Sequence, residues 1–101
     1  MTIRTKREAI RVLRDVEGDK RFFCNDGCIS KNLVELSVCL SHMSQENFDH
    51  HVSDNKNDFI SWIRDIFGDN QLADDLSGTR IPAEAARIIS ERIAWLHKKF
   101  S

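Results

Sequence analysis

The run Asn57-Asp58-Phe59-Ile60-Ser61-Trp62-Ile63-Arg64-Asp65-Ile66-Phe67-Gly68-Asp69 constrains this chain more than any other stretch. Phe59, Trp62, Ile63, Ile66 and Phe67 fall at i, i+3, i+4, i+7 and i+8, the spacing that gathers side chains on one helical face. Asn57 or Asp58 can accept a hydrogen bond from a free N–H of the first turn, and Gly68 can adopt the left-handed conformation that closes the last. Asp69 then caps a second, short helix with Leu72, Ala73 and Leu76 inward. The spacing therefore predicts two helices meeting at a tight corner.

The remainder reads the same way. Thr5-Lys6-Arg7-Glu8 is a capping box that opens a helix with a stripe of Ala9, Ile10, Leu13 and Val16, ended by Gly18. Lys20-Arg21-Phe22-Phe23-Cys24 is short and aromatic enough for a strand, and Asn25-Asp26-Gly27 signals a turn. No obvious second strand follows, so the extended segment needs another part of the chain, a second copy of the protein, or packing over helices. Ser30 caps a helix from Lys31 to Met43, with Leu33, Leu36, Leu40 and Met43 inward and Val34 and Val38 flanking. Ser44 caps Gln45 to Val52, where Phe48 and Val52 lie four apart. Pro82 suits the first turn of a long helix reaching about Phe100, with Ala85, Ile88, Ile89, Arg92 or Ile93, Leu96 and Phe100 as its stripe and Trp95 at the edge. The expected architecture is mainly α: a single domain over 1–101, five to six helices, and one short extended segment near 20–24.

A chain of 101 residues has room for one core. Hydrophobic content of 41%, charged content of 31%, a single Pro and four Gly exclude a disordered or low-complexity chain. No apolar run approaches the roughly twenty residues a membrane-spanning helix needs, and the basic start lacks a secretory signal's apolar segment. A cytoplasmic location is the expectation. The three cysteines, Cys24, Cys28 and Cys39, are odd in number, which predicts reduced thiols rather than a disulfide framework.

Charge is unevenly placed. Between 46 and 76 stand Glu46, Asp49, Asp54, Asp58, Asp65, Asp69, Asp74 and Asp75 against only Lys56 and Arg64, while both ends are rich in Lys and Arg. An acidic middle repels phosphate backbones and argues against a nucleic-acid partner. Arg4, Lys6, Arg7, Arg11 and Arg14 make a basic first helix suited to an acidic protein surface, such as the middle of a second copy.

Among constellations that carry chemistry, a zinc set is the sharpest. Cys24 and Cys28 flank a Gly-containing turn, and His50-His51 follows, so Cys24, Cys28 and His50 or His51 offer thiolate and imidazole ligands. Against it, adjacent helical histidines point roughly 100° apart, and the bland reading makes the cysteines small hydrophobes with one histidine inward. His50 or His51 with Asp49, Asp54 or Asp58 has the residue types for acid–base work, but no nucleophile elbow accompanies them. Gly18, Gly27, Gly68 and Gly78 stand alone, so no phosphate-cradling loop is present, and the carboxylates do not follow an EF-hand pattern. Trp62 and Trp95, with Phe22, Phe23, Phe48 and Phe67, are core candidates; exposed beside other apolar residues, either Trp would mark a partner site.

Leu33-Val34-Glu35-Leu36, Phe48-Asp49-His50-His51-Val52, Asn57-Asp58-Phe59, Trp62-Ile63, Gly68-Asp69 and Leu72-Ala73 together resemble a family of small prokaryotic helical domains of unknown function, over residues 22–76. The resemblance implies a helical domain and carries no activity across. In that family pattern the equivalents of His51 and of Asn57-Asp58-Phe59 recur, whereas Cys24 and Cys28 are not part of it. It points to His51, Asn57, Asp58, Phe59, Trp62 and Asp69 as a structural motif in which His51 hydrogen-bonds Asp58 across a helix break. With no cofactor signature beyond the zinc candidates, the functional expectation is a non-enzymatic binding or regulatory module. It would act through a protein partner or a homodimer, with a zinc-binding protein or a small hydrolase on His51 and Asp58 as alternatives.

Overall fold

The computed structural model describes residues 3–100; residues 1, 2 and 101 of the expected 1–101 domain lie outside them. The chain runs α1 (Lys6–Leu13), a 3₁₀ turn (Gly18–Lys20), β1 (Phe22–Phe23), β2 (Ile29–Ser30), α2 (Leu33–His42), α3 (Gln45–His51), α4 (Asp58–Trp62) continuing into a π turn (Ile63–Phe67), α5 (Asn70–Leu76) and α6 (Pro82–Phe100). Over the described residues it is a mainly helical domain of six helices with one two-stranded antiparallel hairpin. α2 and α6 pack as the central pair, and a single cluster of buried apolar side chains joins all the layers.

Most helix starts follow from local chemistry. The side chains of Thr5, Asn32, Ser44, Asn57 and Asp69 accept from main-chain N–H groups of Glu8, Glu35, Asn47, Ile60 and Leu72 respectively. Each such cap contributes about 1 kcal/mol. Gly68, at φ 72°, ends the π turn, its N–H donating to the carbonyls of Ile63 and Arg64. The run from Asp58 to Gly68 is thus one continuous helix whose last turn widens before the corner.

One open choice is decided and two expectations are corrected. The extended segment has a partner within the chain: Phe22 pairs with Ser30 and Phe23 with Ile29, joined through Asn25-Asp26-Gly27. Cys24 N–H donates to Cys28 O at 2.9 Å, Gly27 N–H to Cys24 O at 3.0 Å, and Gly27 takes φ 91°, the arrangement of a three-residue hairpin loop. A second copy is therefore not needed to complete the strand. Ser30 belongs to β2, and Asn32 caps α2 instead. Finally, α1 stops at Leu13, because the chain beyond it extends so that Val16 N–H reaches Lys31 O at 2.7 Å. This sets the helical phase: Ala9 and Val12 are buried, and Ile10 is 60% exposed.

The long helix behaves as its pattern predicts at Ala85, Ile89 and Leu96, all buried, while Trp95 lies on the surface. On α2, Leu33, Leu36 and Leu40 are buried and Val34 and Val38 are exposed.

Candidate functional site

The corner between α3 and α4 places the sequence motif. Ser44 starts α3 and sets Phe48 and His51, three residues apart, on its inner face. The chain then turns tightly through 53–56, with Ser53 N–H donating to Lys56 O at 2.8 Å, and Val52 and Asn57 form an isolated antiparallel bridge. Asn57 caps α4, which brings Asp58 opposite His51, Nδ1 to Oδ2 3.0 Å. On its other side His51 Nε2 accepts the main-chain N–H of Asn25 at 3.1 Å. A backbone N–H can only donate, so Nε2 carries the lone pair and Nδ1 the hydrogen, which it donates to Asp58. Lys56 Nζ meets the same carboxylate oxygen at 3.3 Å.

Around this hydrogen-bond chain is an aromatic wall. Phe59 stacks between Phe22 at 4.9 Å and Phe48 at 5.5 Å, and the ring of His51 lies 5.3 Å from both Phe22 and Phe59. Trp62 is buried against Phe22 and Phe67, its Nε1–H donating to Lys20 O at 2.7 Å. His51 thus joins the hairpin turn, α3 and α4. With both ring nitrogens engaged and the side chain buried, it offers no free lone pair to a substrate, and the hydrolase reading on His51 and Asp58 loses its base.

The cysteines depart from expectation. Cys28 and Cys39 form a disulfide, with Cα atoms 6.4 Å apart across a sequence separation of 11, which corrects the inference of reduced thiols. The reason is tertiary: β2 packs along α2, and Ser30 Oγ also reaches Cys39 Sγ at 3.5 Å. Cysteine count therefore no longer argues for a reducing compartment. Cys24 is a buried free thiol whose pKa rises from 9.0 to about 11, chiefly because burial disfavours the thiolate, with Asp26 adding like-charge repulsion.

For the zinc set, the disulfide leaves Cys28 without a thiolate, Cys24 stays protonated, His51 is committed on both sides, and His50 points outward beside it. Among the described residues no three His, Cys, Asp or Glu side chains converge as a metal group. Also among them, no helix is long and apolar enough to cross a membrane.

Asp69 does more than cap α5. It is fully buried, and Arg92 of α6 grips both its oxygens, Nε at 2.8 Å and Nη2 at 2.9 Å. The sequence pattern offered Arg92 or Ile93 for the inner stripe and gave Arg92 no partner. An inward arginine on an otherwise apolar stripe is the signal that asks for a buried carboxylate.

Half of the acidic middle is compensated from within, among the described residues. Besides Asp69 and Asp58, Asp54 pairs with Arg80 and Asp74 with Arg64, each at 3.1 Å. The basic first helix is not: among the described residues Lys6, Arg7, Arg11 and Arg14 pair with no carboxylate. Beside it lies an open groove of about 360 Å³ between α1 and α6. Its apolar lining is Ala9, Ile10, Leu13, Leu96 and Phe100. Lys6, Arg14 and His97 stand on its rim. The Arg14 guanidinium is held in place by the carbonyls of Ile66 and Arg11, at 2.9 and 2.6 Å, and lies 5.2 Å from the centre of the Phe67 ring. A preformed apolar groove with a fixed cation is a candidate ligand-binding surface.

No family model matches the chain, and no curated protein or solved structure matches it significantly.

Proposed function

We propose that this protein is a non-enzymatic interaction module that receives a protein partner in the groove between α1 and α6. The observation that carries the reading is Ile10. A large aliphatic side chain, 60% exposed, stands on a helix otherwise covered with cations, next to an apolar trough that leaves Leu13 and Phe100 only partly buried. Isolated exposed aliphatics are ordinary, but one continuous with a concave apolar floor marks a contact surface. The motif around His51, in turn, is read as scaffold: its hydrogen bonds are spent internally and its aromatics are buried.

A two-fold contact of groove on groove would bring together two surfaces that are each rimmed by cations.

A photoreactive side chain in place of Ile10, with one in place of Gln71 as an exposed control, tests the reading in extract from the source cells. A discrete protein adduct from position 10 alone is expected. Equal labelling from both positions would remove the groove as the interaction surface.

A further inference from the structure

We infer that the occupant of the α1–α6 groove is an acidic amphipathic helix, one with apolar residues repeating at i, i+3 or i+4 and i+7 and carboxylates on both flanks of that stripe. This rests on the reading of the groove as a protein-docking surface and names the chemistry of what docks there.

Shape sets the first half of the argument. The trough runs between two helices, and its floor recedes to the buried Ala9 and Leu96 below the exposed Ile10. A concave floor cannot insert into a bilayer; it needs a ridge from the partner. Side chains at i and i+4 along a third helix form such a ridge, and a groove between two helices is the site that accepts it.

Charge sets the second half. Lys6 stands in the first turn of α1, Arg14 is the extended residue that follows its last turn, and both line the groove together with His97 of α6. Among the described residues no carboxylate lines the groove. Glu8, the acidic residue within α1, turns to the other side, where it accepts from Arg4 N–H and Thr5 Oγ–H. An occupant with lysine flanks would face unscreened like charges on the α1 wall; one with glutamate flanks meets a cation whose position Ile66 O already fixes. The basic first helix then has a use that the acidic middle does not supply within the same molecule, since among the described residues its cations pair with none of those carboxylates.

The experiment uses two synthetic helices of about 18 residues with the same leucine stripe, one flanked by glutamate and one by lysine, titrated against the full chain by fluorescence anisotropy. The glutamate helix should bind at least about tenfold more tightly at low salt, with the gap narrowing as ionic strength rises. Ile10→Glu should weaken that binding at least about tenfold with the thermal midpoint unchanged, because position 10 is largely exposed. Lys6→Glu with His97→Glu, both at exposed positions, should move the preference toward the lysine helix. Equal binding of the two helices would overturn the acidic partner while leaving the groove as a docking surface. Binding of neither would overturn the groove reading itself, and binding indifferent to Ile10→Glu would place the contact elsewhere and overturn the proposal as well.

Discussion

Arg92 holds Asp69 through two parallel hydrogen bonds of 2.8 and 2.9 Å, and the carboxylate it holds is the cap of α5. One oxygen, Oδ1, serves both Arg92 Nη2 and Leu72 N–H, so the start of one helix and the flank of another share an atom. The Arg92 side chain is 11% exposed, and its guanidinium also lies over the Trp95 ring at 4.6 Å. A buried pair of this kind locks α5 to α6 in one register, and its loss strands a charge.

Arg92→Ala should therefore cost about 3–5 kcal/mol in urea unfolding, since it leaves the Asp69 carboxylate uncompensated in the core. Arg92→Lys should recover only part of that, because an ammonium does not reproduce the fork. A loss under about 1 kcal/mol for Arg92→Ala would show that α5 is held by apolar packing alone.

His51→Ala should cost about 2–4 kcal/mol. It opens a cavity beside Phe22 and Phe59 and leaves the Asn25 N–H without its acceptor. Nitrogen NMR of the native protein should find His51 with its hydrogen on Nδ1. A hydrogen on Nε2 would contradict the bond from Asn25, and an unchanged melting temperature in His51→Ala would mean that the corner stands without its brace.

Cys24 gives a pH dependence with a definite sign. Its thiol titrates near 9.0 when exposed and near 11 in the folded chain, so between those values the unfolded state has released a proton that the native state still holds. The stability linked to this thiol is intact below pH 9 and is lost as pH rises toward 11. Alkylation of Cys24 in the native protein should accordingly be very slow near pH 8 and accelerate steeply toward pH 11, whereas in urea it should already be fast near pH 9. Native alkylation at pH 8 as fast as in urea would contradict the burial.

Peptide mapping without reductant should recover residues 28 and 39 in one cross-linked species and leave Cys24 as the modifiable thiol. Replacing both bonded cysteines by serine should lower stability by about 2–4 kcal/mol, the range for closing a loop of this length. Free thiols at 28 and 39 in protein purified under oxidising conditions would exclude the bond.

The helices themselves were legible because their signals are local. Thr5, Ser44, Asn57 and Asp69 cap groups only three positions away, and Gly68 terminates a helix by its own conformational freedom. The stripes of α2 and of the helix from Asp58 likewise identified Leu33, Leu36, Leu40, Phe59, Trp62, Ile63 and Phe67, all of which are buried. The first helix misled for a specific reason. Its stripe placed Ile10 and Leu13 inward, but a helix that ends at Leu13 is too short for periodicity to settle its phase, and the bond from Val16 to Lys31 decided it.

Sequence by itself thus determined most helix starts, the stop at Gly68 and the residue types that line the helices, because those choices depend on hydrogen bonds and side-chain spacing within a few positions, whereas the end of α1 and the start of α2 followed the neighbouring extended chain. Only the tertiary structure decided what the ends of long side chains meet. Asn25 with His51, separated by 26 positions, Asp69 with Arg92 by 23, and Cys28 with Cys39 by 11 are brought together by how the hairpin and α6 lie against the rest. The groove belongs to the same class. It exists because α1 stops early, turns Val12 inward and leaves Ile10 beside α6, and a rotation of roughly 100°, one residue of helix, would have hidden it.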